Sequence, residues 1–150
     1  DKGYSDGVKT QMGVVQNNNL VGITSITHAD FSTIISLLNT DLMISAKIKG
    51  SGHYGSLTWD GKHYNKMQLN DIPKHAEPKL GDTIVTSGYS NILPEGVSIG
   101  VISKYKTEKN TNFLSISVNL FVDLTKINSV YLLEKKLKEE RKIIEKSISN

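Results

Sequence analysis

Along most of the chain, apolar and polar side chains alternate in short runs, each closed by glycine, asparagine, aspartate or proline. Alternation of this kind is the period of a strand with one buried face. Gly13-Val14-Val15-Gln16 and Leu20-Val21-Gly22-Ile23-Thr24-Ser25-Ile26 flank Asn17-Asn18-Asn19, which predicts a β-hairpin with a polar turn. Further strands are predicted at Ile44-Ser45-Ala46-Lys47-Ile48, Tyr54-Gly55-Ser56-Leu57-Thr58-Trp59, 66–69, 113–120 and 130–133. Gly50-Ser51-Gly52, Asp60-Gly61 and the polar stretch 106–112 supply the turns between them.

The densest pattern lies at 81–102. Gly81 and Asp82 open it, and the β-branched Thr83-Ile84-Val85-Thr86 forms a strand. Ser87, Gly88, Asn91, Pro94 and Gly96 then crowd a loop with turn-forming residues. Val97, Ile99, Val101 and Ile102 resume the strand, with Gly100 where a side chain would be in the way. Asp82 is explained as a turn acceptor for backbone N–H groups. Tyr89, Ile92 and Leu93 are apolar residues inside this loop, and they either fold back onto a barrel end or mark a protein-contact surface.

Strands about 8–12 residues apart indicate barrels or sandwiches instead of a βαβ sheet. The expected class is all-β, two small β-barrels in tandem with two helices added. A short helix is predicted over 29–39, because Phe31, Ile34, Ile35 and Leu38 fall at helical spacing and Asp30 or Ser32 can cap it. A C-terminal amphipathic helix is predicted over 134–150, with Leu133, Leu137, Ile144 and Ile148 on one stripe. A nested division is expected: 1–42 plus about 104–133 as a first barrel, 43–103 as a second. A sequential split is the alternative.

Composition narrows the chemistry. The net charge of +3 invites a nucleic-acid reading, but residues 134–146 alone hold six Lys/Arg and four Glu. The body is close to neutral and lacks a basic stripe interleaved with aromatics, so no nucleic-acid partner is expected. Absence of cysteine removes disulfides, thiolate catalysis and cysteine-ligated zinc. No apolar run in the sequence approaches the roughly 18 residues of a membrane span, and the polar opening DKGYSDG does not have the pattern of a signal peptide.

Candidate catalytic groups do not converge. His28, His53, His63 and His75 show no helical i, i+4 pairing, so no metal site is expected. A double-barrel serine hydrolase would draw on His53, Asp60 or Asp82, and Ser87 or Ser90. However, Ser87 lies in Thr-Ser-Gly-Tyr, not in a loop of the kind that builds an oxyanion hole. The glycines form no phosphate loop, and no cofactor is expected. A glycan-binding module is a third reading and would need Tyr54 and Trp59 on one stacking platform.

The ordered motifs carry a resemblance. Gly3-Tyr4-Ser5-Asp6-Gly7-Val8, Gln11-Met12-Gly13-Val14-Val15, Leu20-Val21-Gly22-Ile23-Thr24, the stretch 32–39, Gly81-Asp82-Thr83-Ile84-Val85-Thr86-Ser87-Gly88 and Leu93-Pro94-Glu95-Gly96-Val97-Ser98-Ile99-Gly100 follow in the order and spacing of the MreC family. The chain resembles the extracytoplasmic part of that family over nearly all of 3–133. The short connection 50–61 and the charged C-terminal extension look like its Bacteroidetes branch. The resemblance implies a non-enzymatic scaffold of the cell-elongation machinery, with two barrels like those of chymotrypsin-type proteases but without the triad. It also implies self-association with other MreC copies and binding to MreD and a class B penicillin-binding transpeptidase. By the same resemblance, an N-terminal helix outside this chain anchors the protein in the inner membrane, and the barrels face the periplasm.

Overall fold

The computed structural model describes residues 12–27, 32–90, 92–127 and 131–133. Where the sequence alternates, every second side chain is buried. Strands β1 (Gly13–Gln16), β2 (Asn19–Thr27) and β3 (Ser32–Ser36) come first, then β4 (Ile44–Ile48), β5 (Tyr54–Thr58) and β6 (Lys66–Pro73). A 3₁₀ turn at Lys74–Ala76 precedes β7 (Thr83–Thr86), β8 (Ser98–Thr107), β9 (Phe113–Leu120) and β10 (Tyr131–Leu133). The described residues contain no α-helix.

Six of these strands close on themselves. The antiparallel pairings run β4–β5, β5–β6, β6–β9, β9–β8, β8–β7 and β7–β4, so no strand of this set is left with a free edge. Ala46, Leu57, Leu69, Ile84, Ile99 and Ile116 are each fully buried in one core cluster, at least one from every strand of the barrel. Small barrels of this kind fill their interior with side chains, and burial of this order is the main stabilising term.

Two breaks in the pattern keep the wall tight. In β6, Leu69 and Ile72 are both buried although three residues apart, because a bulge intervenes at Asn70 and Asp71. Asp71 takes a φ of 69°, the left-handed conformation an aspartate tolerates better than most. Gly100 sits opposite Leu120 in the β8–β9 ladder, and a Cβ there would lie 2.1 Å from the Asn119 carbonyl oxygen. Only glycine allows that approach.

A second, smaller sheet leans on the barrel in the order β10-β1-β2-β3 and joins it where Asn19 of β2 meets Ser98 of β8. The β1–β2 turn has the mirror-image form that hairpins favour, with φ of 52° at Asn17 and 64° at Asn18. This hairpin is buried on both faces. Val15, Leu20 and Ile23 join the barrel core, while Val14 and Val21 pack with Val122.

The helix predicted over 29–39 is corrected: Ser32–Ser36 is strand β3, antiparallel to β2 across Gly22. Thr33, Ile34 and Ile35 are β-branched in succession, which suits a pleated surface better than a helix. The spacing of Ile34, Ile35 and Leu38 was equally open to a strand, in which Ile35 faces the core and Ile34 is exposed. The C-terminal helix over 134–150 lies outside the described residues. Of the strands within 104–133, β9 belongs to the closed barrel and β10 returns to β1, so the unit begun at residue 43 runs past 103 to the end of β9.

Gly100→Ala is expected to destabilise the chain by about 3 kcal/mol, the upper part of the overpacking range, as measured by urea denaturation. Gly52→Ala is the matched control: nothing lies within 4 Å of its added Cβ, and a change within about 0.5 kcal/mol is expected.

Candidate functional site

The loop between β7 and β8 is built around one side chain. Thr86 ends β7 and is wholly buried. Its Oγ1 donates to the Pro94 carbonyl at 2.6 Å and accepts the Val97 N–H at 2.9 Å. Its own backbone N–H donates to the Val97 carbonyl at 2.9 Å, and its carbonyl accepts the Gly96 N–H at 3.0 Å. Four hydrogen bonds thus close the neck of the loop on a single residue, and a buried polar group placed this way has every partner it needs.

Glycine is required at both ends. Gly88 has φ of 76° and a Cβ there would meet the Glu95 Cβ at 2.7 Å; Gly96 has φ of 91°. Beside and between them, serine side chains take the turn N–H groups. Ser87 Oγ accepts from Tyr89 at 3.1 Å, and Ser90 Oγ accepts from Ile92 and Leu93 at 3.3 and 3.4 Å. Ser87 also ties the loop to β4: its N–H donates to the Ser45 carbonyl at 3.1 Å, and the two hydroxyls lie 2.7 Å apart.

This frame sorts the three residues read as a contact loop. Leu93 is 3% exposed and belongs to the barrel core, so it closes the barrel end and is not a surface contact residue. Ile92 is partly buried against the same core. Tyr89 is 70% exposed and stacks on Tyr54, with ring centroids 4.2 Å apart and an interplanar angle of 22°. Tyr54 stands opposite Lys47 in the β4–β5 ladder, and Lys47 pairs with Glu95 of the loop. Glu95 is largely exposed although Lys47 is mostly covered, and a pair with one partner open to solvent contributes little to stability, about 0–1 kcal/mol. It fixes the loop against β4. Tyr54 was not legible as a loop partner; the only sequence signal is its position one strand from Lys47.

A hydrogen bond to Tyr89, with some desolvation, holds the Tyr54 phenol above its ordinary range. A raised folded-state value means the contribution is complete below the unfolded pKa and fades as pH rises through the folded one.

The other candidates stay apart. His53 contacts His75 edge to face at 4.8 Å, and His63 Nδ1 lies 3.8 Å from Asp60 Oδ2. Asp60 is held low, first by the Lys62 N–H and then by the nearby His63 and Lys62 charges. Asp82 accepts the Lys79 N–H at 3.0 Å, the turn role read from its position, and Gly81 beside it has φ of 88°. The serines of the hydrolase reading thus serve the loop, and its aspartates serve local turns. Among the described residues no three His, Asp or Glu side chains gather to hold a metal ion. Trp59 packs on the core and donates Nε1–H to the His63 carbonyl at 2.7 Å. It lies five residues beyond Tyr54 along an extended segment, about 16 Å away, so the two form no common platform.

A family model described as rod shape-determining protein MreC, barrel core, matches residues 1–134. The cell shape-determining protein MreC of Listeria monocytogenes is 31% identical over 142 residues, which cover 90% of this chain and 47% of that relative. The chain therefore spans about half the length of this curated relative. A solved structure of the Listeria MreC matches with a TM-score of 0.84 at 30% identity, covering 91% of this chain and 67% of that one. MreC in a solved complex with penicillin-binding protein PBP2 from Helicobacter pylori shares the fold, with a TM-score of 0.66 at 21% identity over 83% of this chain and 79% of that one.

Thr86→Val keeps the shape but leaves the Pro94 carbonyl and Val97 N–H without their partner. A loss of about 2 kcal/mol is expected from leaving these two groups unsatisfied at the neck, checked by thermal and urea unfolding. In an ultraviolet titration, one tyrosine should ionise above the ordinary range in the wild-type chain, and Tyr89→Phe should bring it down.

Proposed function

This chain belongs to the MreC family of rod shape-determining proteins, and on that premise we propose that it is the barrel portion of a non-enzymatic cell-shape scaffold. The family match over 1–134 carries this reading, and the loop chemistry agrees with it, since Ser87 and Ser90 are spent on turn N–H groups. In this reading β1, β2, β3 and β10 belong to a first barrel nested around the closed one, giving two barrels in tandem. The protein is held at the inner membrane by a segment outside this chain, with the barrels in the periplasm. No helix among the described residues is long and apolar enough to cross a membrane.

A penicillin-binding transpeptidase is the partner proposed first, because the Helicobacter relative of the same fold is found in complex with PBP2. Other MreC copies and MreD are proposed on the resemblance in motif order. The stacked Tyr89 and Tyr54, with the partly buried Ile92 of the same loop, form the contact surface. The 70% exposure of Tyr89 on a loop pinned by Thr86 supports that choice. An aromatic ring presented on a rigid frame loses little entropy on binding and anchors interfaces well.

Crosslinking and pull-down of the full-length protein with the periplasmic domain of the transpeptidase test the reading. Association is expected, weakened about tenfold or more by Tyr89→Ala, which removes one interface anchor, with the fold intact by circular dichroism. Leu93→Asp should instead unfold the barrel end. Absence of association, alone and in membranes, would contradict the scaffold reading.

A further inference from the structure

The outer wall of the barrel carries a polar groove that the contact loop does not use. Strand pairing lines up its floor. Thr58 faces Gln68, Gln68 faces Ser117, and Ser117 faces Lys104, one cross-strand row over β5, β6, β9 and β8. One step along, Asn70 accepts a hydrogen bond from Ser115 Oγ at 3.1 Å, and Ser115 stands opposite Lys106. Lys66 borders the same groove. These are the outward positions of strands whose inward residues, Met67, Leu69 and Ile116, are wholly buried.

Three properties narrow what such a groove can hold. All four strands are paired on both sides, so no backbone edge is free to recruit a further strand. The two rows are hydroxyls and amides with no apolar side chain, which gives a helix or hydrophobic peptide nothing to anchor on. The two rows themselves hold no aromatic ring; Tyr105, which is 45% exposed, and His63 line the border, and this gives no interleaved series of rings for stacked nucleic-acid bases. Lys66, Lys104 and Lys106 form no ion pair among the described residues. The one carboxylate, Asp60, already accepts the Lys62 N–H at 2.9 Å.

We propose that this groove binds an anionic glycan chain, with sugar hydroxyls on the Gln68, Asn70, Ser115 and Ser117 rows and its acidic groups on Lys104, Lys106 and Lys66. Amides and hydroxyls pair with sugar hydroxyls as both donors and acceptors. Rows about 7 Å apart along a strand, with strands about 4.8 Å apart, offer polar groups at saccharide-like intervals. Barrel walls of other small folds bind oligosaccharides in a comparable way. The site is separate from the Tyr89 surface.

The test is titration of this isotope-labelled chain with oligogalacturonate, followed by amide chemical shifts. Shifts are expected along β6, β9 and β8. Lys104→Gln with Lys106→Gln should weaken binding about fivefold or more, the loss of charge-assisted contacts, and Gln68→Ala should weaken it while leaving the spectrum otherwise folded. Lys49→Gln with Lys79→Gln, two exposed lysines elsewhere, should change it little. No binding at about millimolar ligand, an equal loss in the Lys49/Lys79 variant, indifference to Gln68→Ala, or equal affinity for polyglutamate would each overturn the proposal. Polyglutamate carries the charge without the hydroxyls.

Discussion

The hydroxyl of Thr86 is the point on which this structure turns. A buried hydroxyl is tolerated only when its donor and acceptor are both used, and here both are used on the same loop. By holding the Pro94 carbonyl and the Val97 N–H together, it brings the ends of the loop back to one place. That closure carries Leu93 and Val97 into the barrel core and turns Tyr89 outward. The same residue stands opposite Ala46 in the β4–β7 ladder, so the neck of the loop is continuous with the barrel wall. Packing at the barrel end and display at the surface therefore have one cause.

Closure of the barrel supplies the rigidity on which that loop depends. Six antiparallel pairings leave each wall strand with two neighbours, and the close approaches at Gly55 and Gly100 bring backbone against backbone where any side chain would intrude. The bulge at Asn70 and Asp71 shifts the parity of β6, so that Leu69 and Ile72 can both face inward. One consequence is chemical. The wall has an apolar interior, and its outer face over β5, β6, β9 and β8 is rich in amides, hydroxyls and lysines.

Much of this was legible from residues alone. The alternation in 44–48, 54–59, 66–69 and 113–120 located barrel strands, and the paired asparagines located the hairpin. The turn roles of Gly81, Asp82, Gly88 and Gly96 followed from residue type, because positive φ and short carboxylates are local properties. Phe31, Ile34, Ile35 and Leu38 misled because their spacing fits two periods, and what decides for a strand is pairing with β2, which no local pattern records. Leu93 was ambiguous for a similar reason: an apolar loop residue turns inward only if the loop is cinched. The stacking of Tyr89 on Tyr54, and the assembly of Lys66, Lys104 and Lys106 around one groove, join segments far apart in sequence and become visible only through strand order.

Membership of the MreC family goes with this architecture of a closed wall and a loop pinned to it. The central claim is that Thr86 makes the loop neck as firm as the barrel. Native-state amide hydrogen exchange measures this residue by residue. The Gly96 and Val97 amides, which bond to the Thr86 carbonyl and hydroxyl, should be protected as strongly as those of Ile84 and Ile102. Exchange of Gly96 and Val97 as fast as an open turn such as Gly52 would contradict the account.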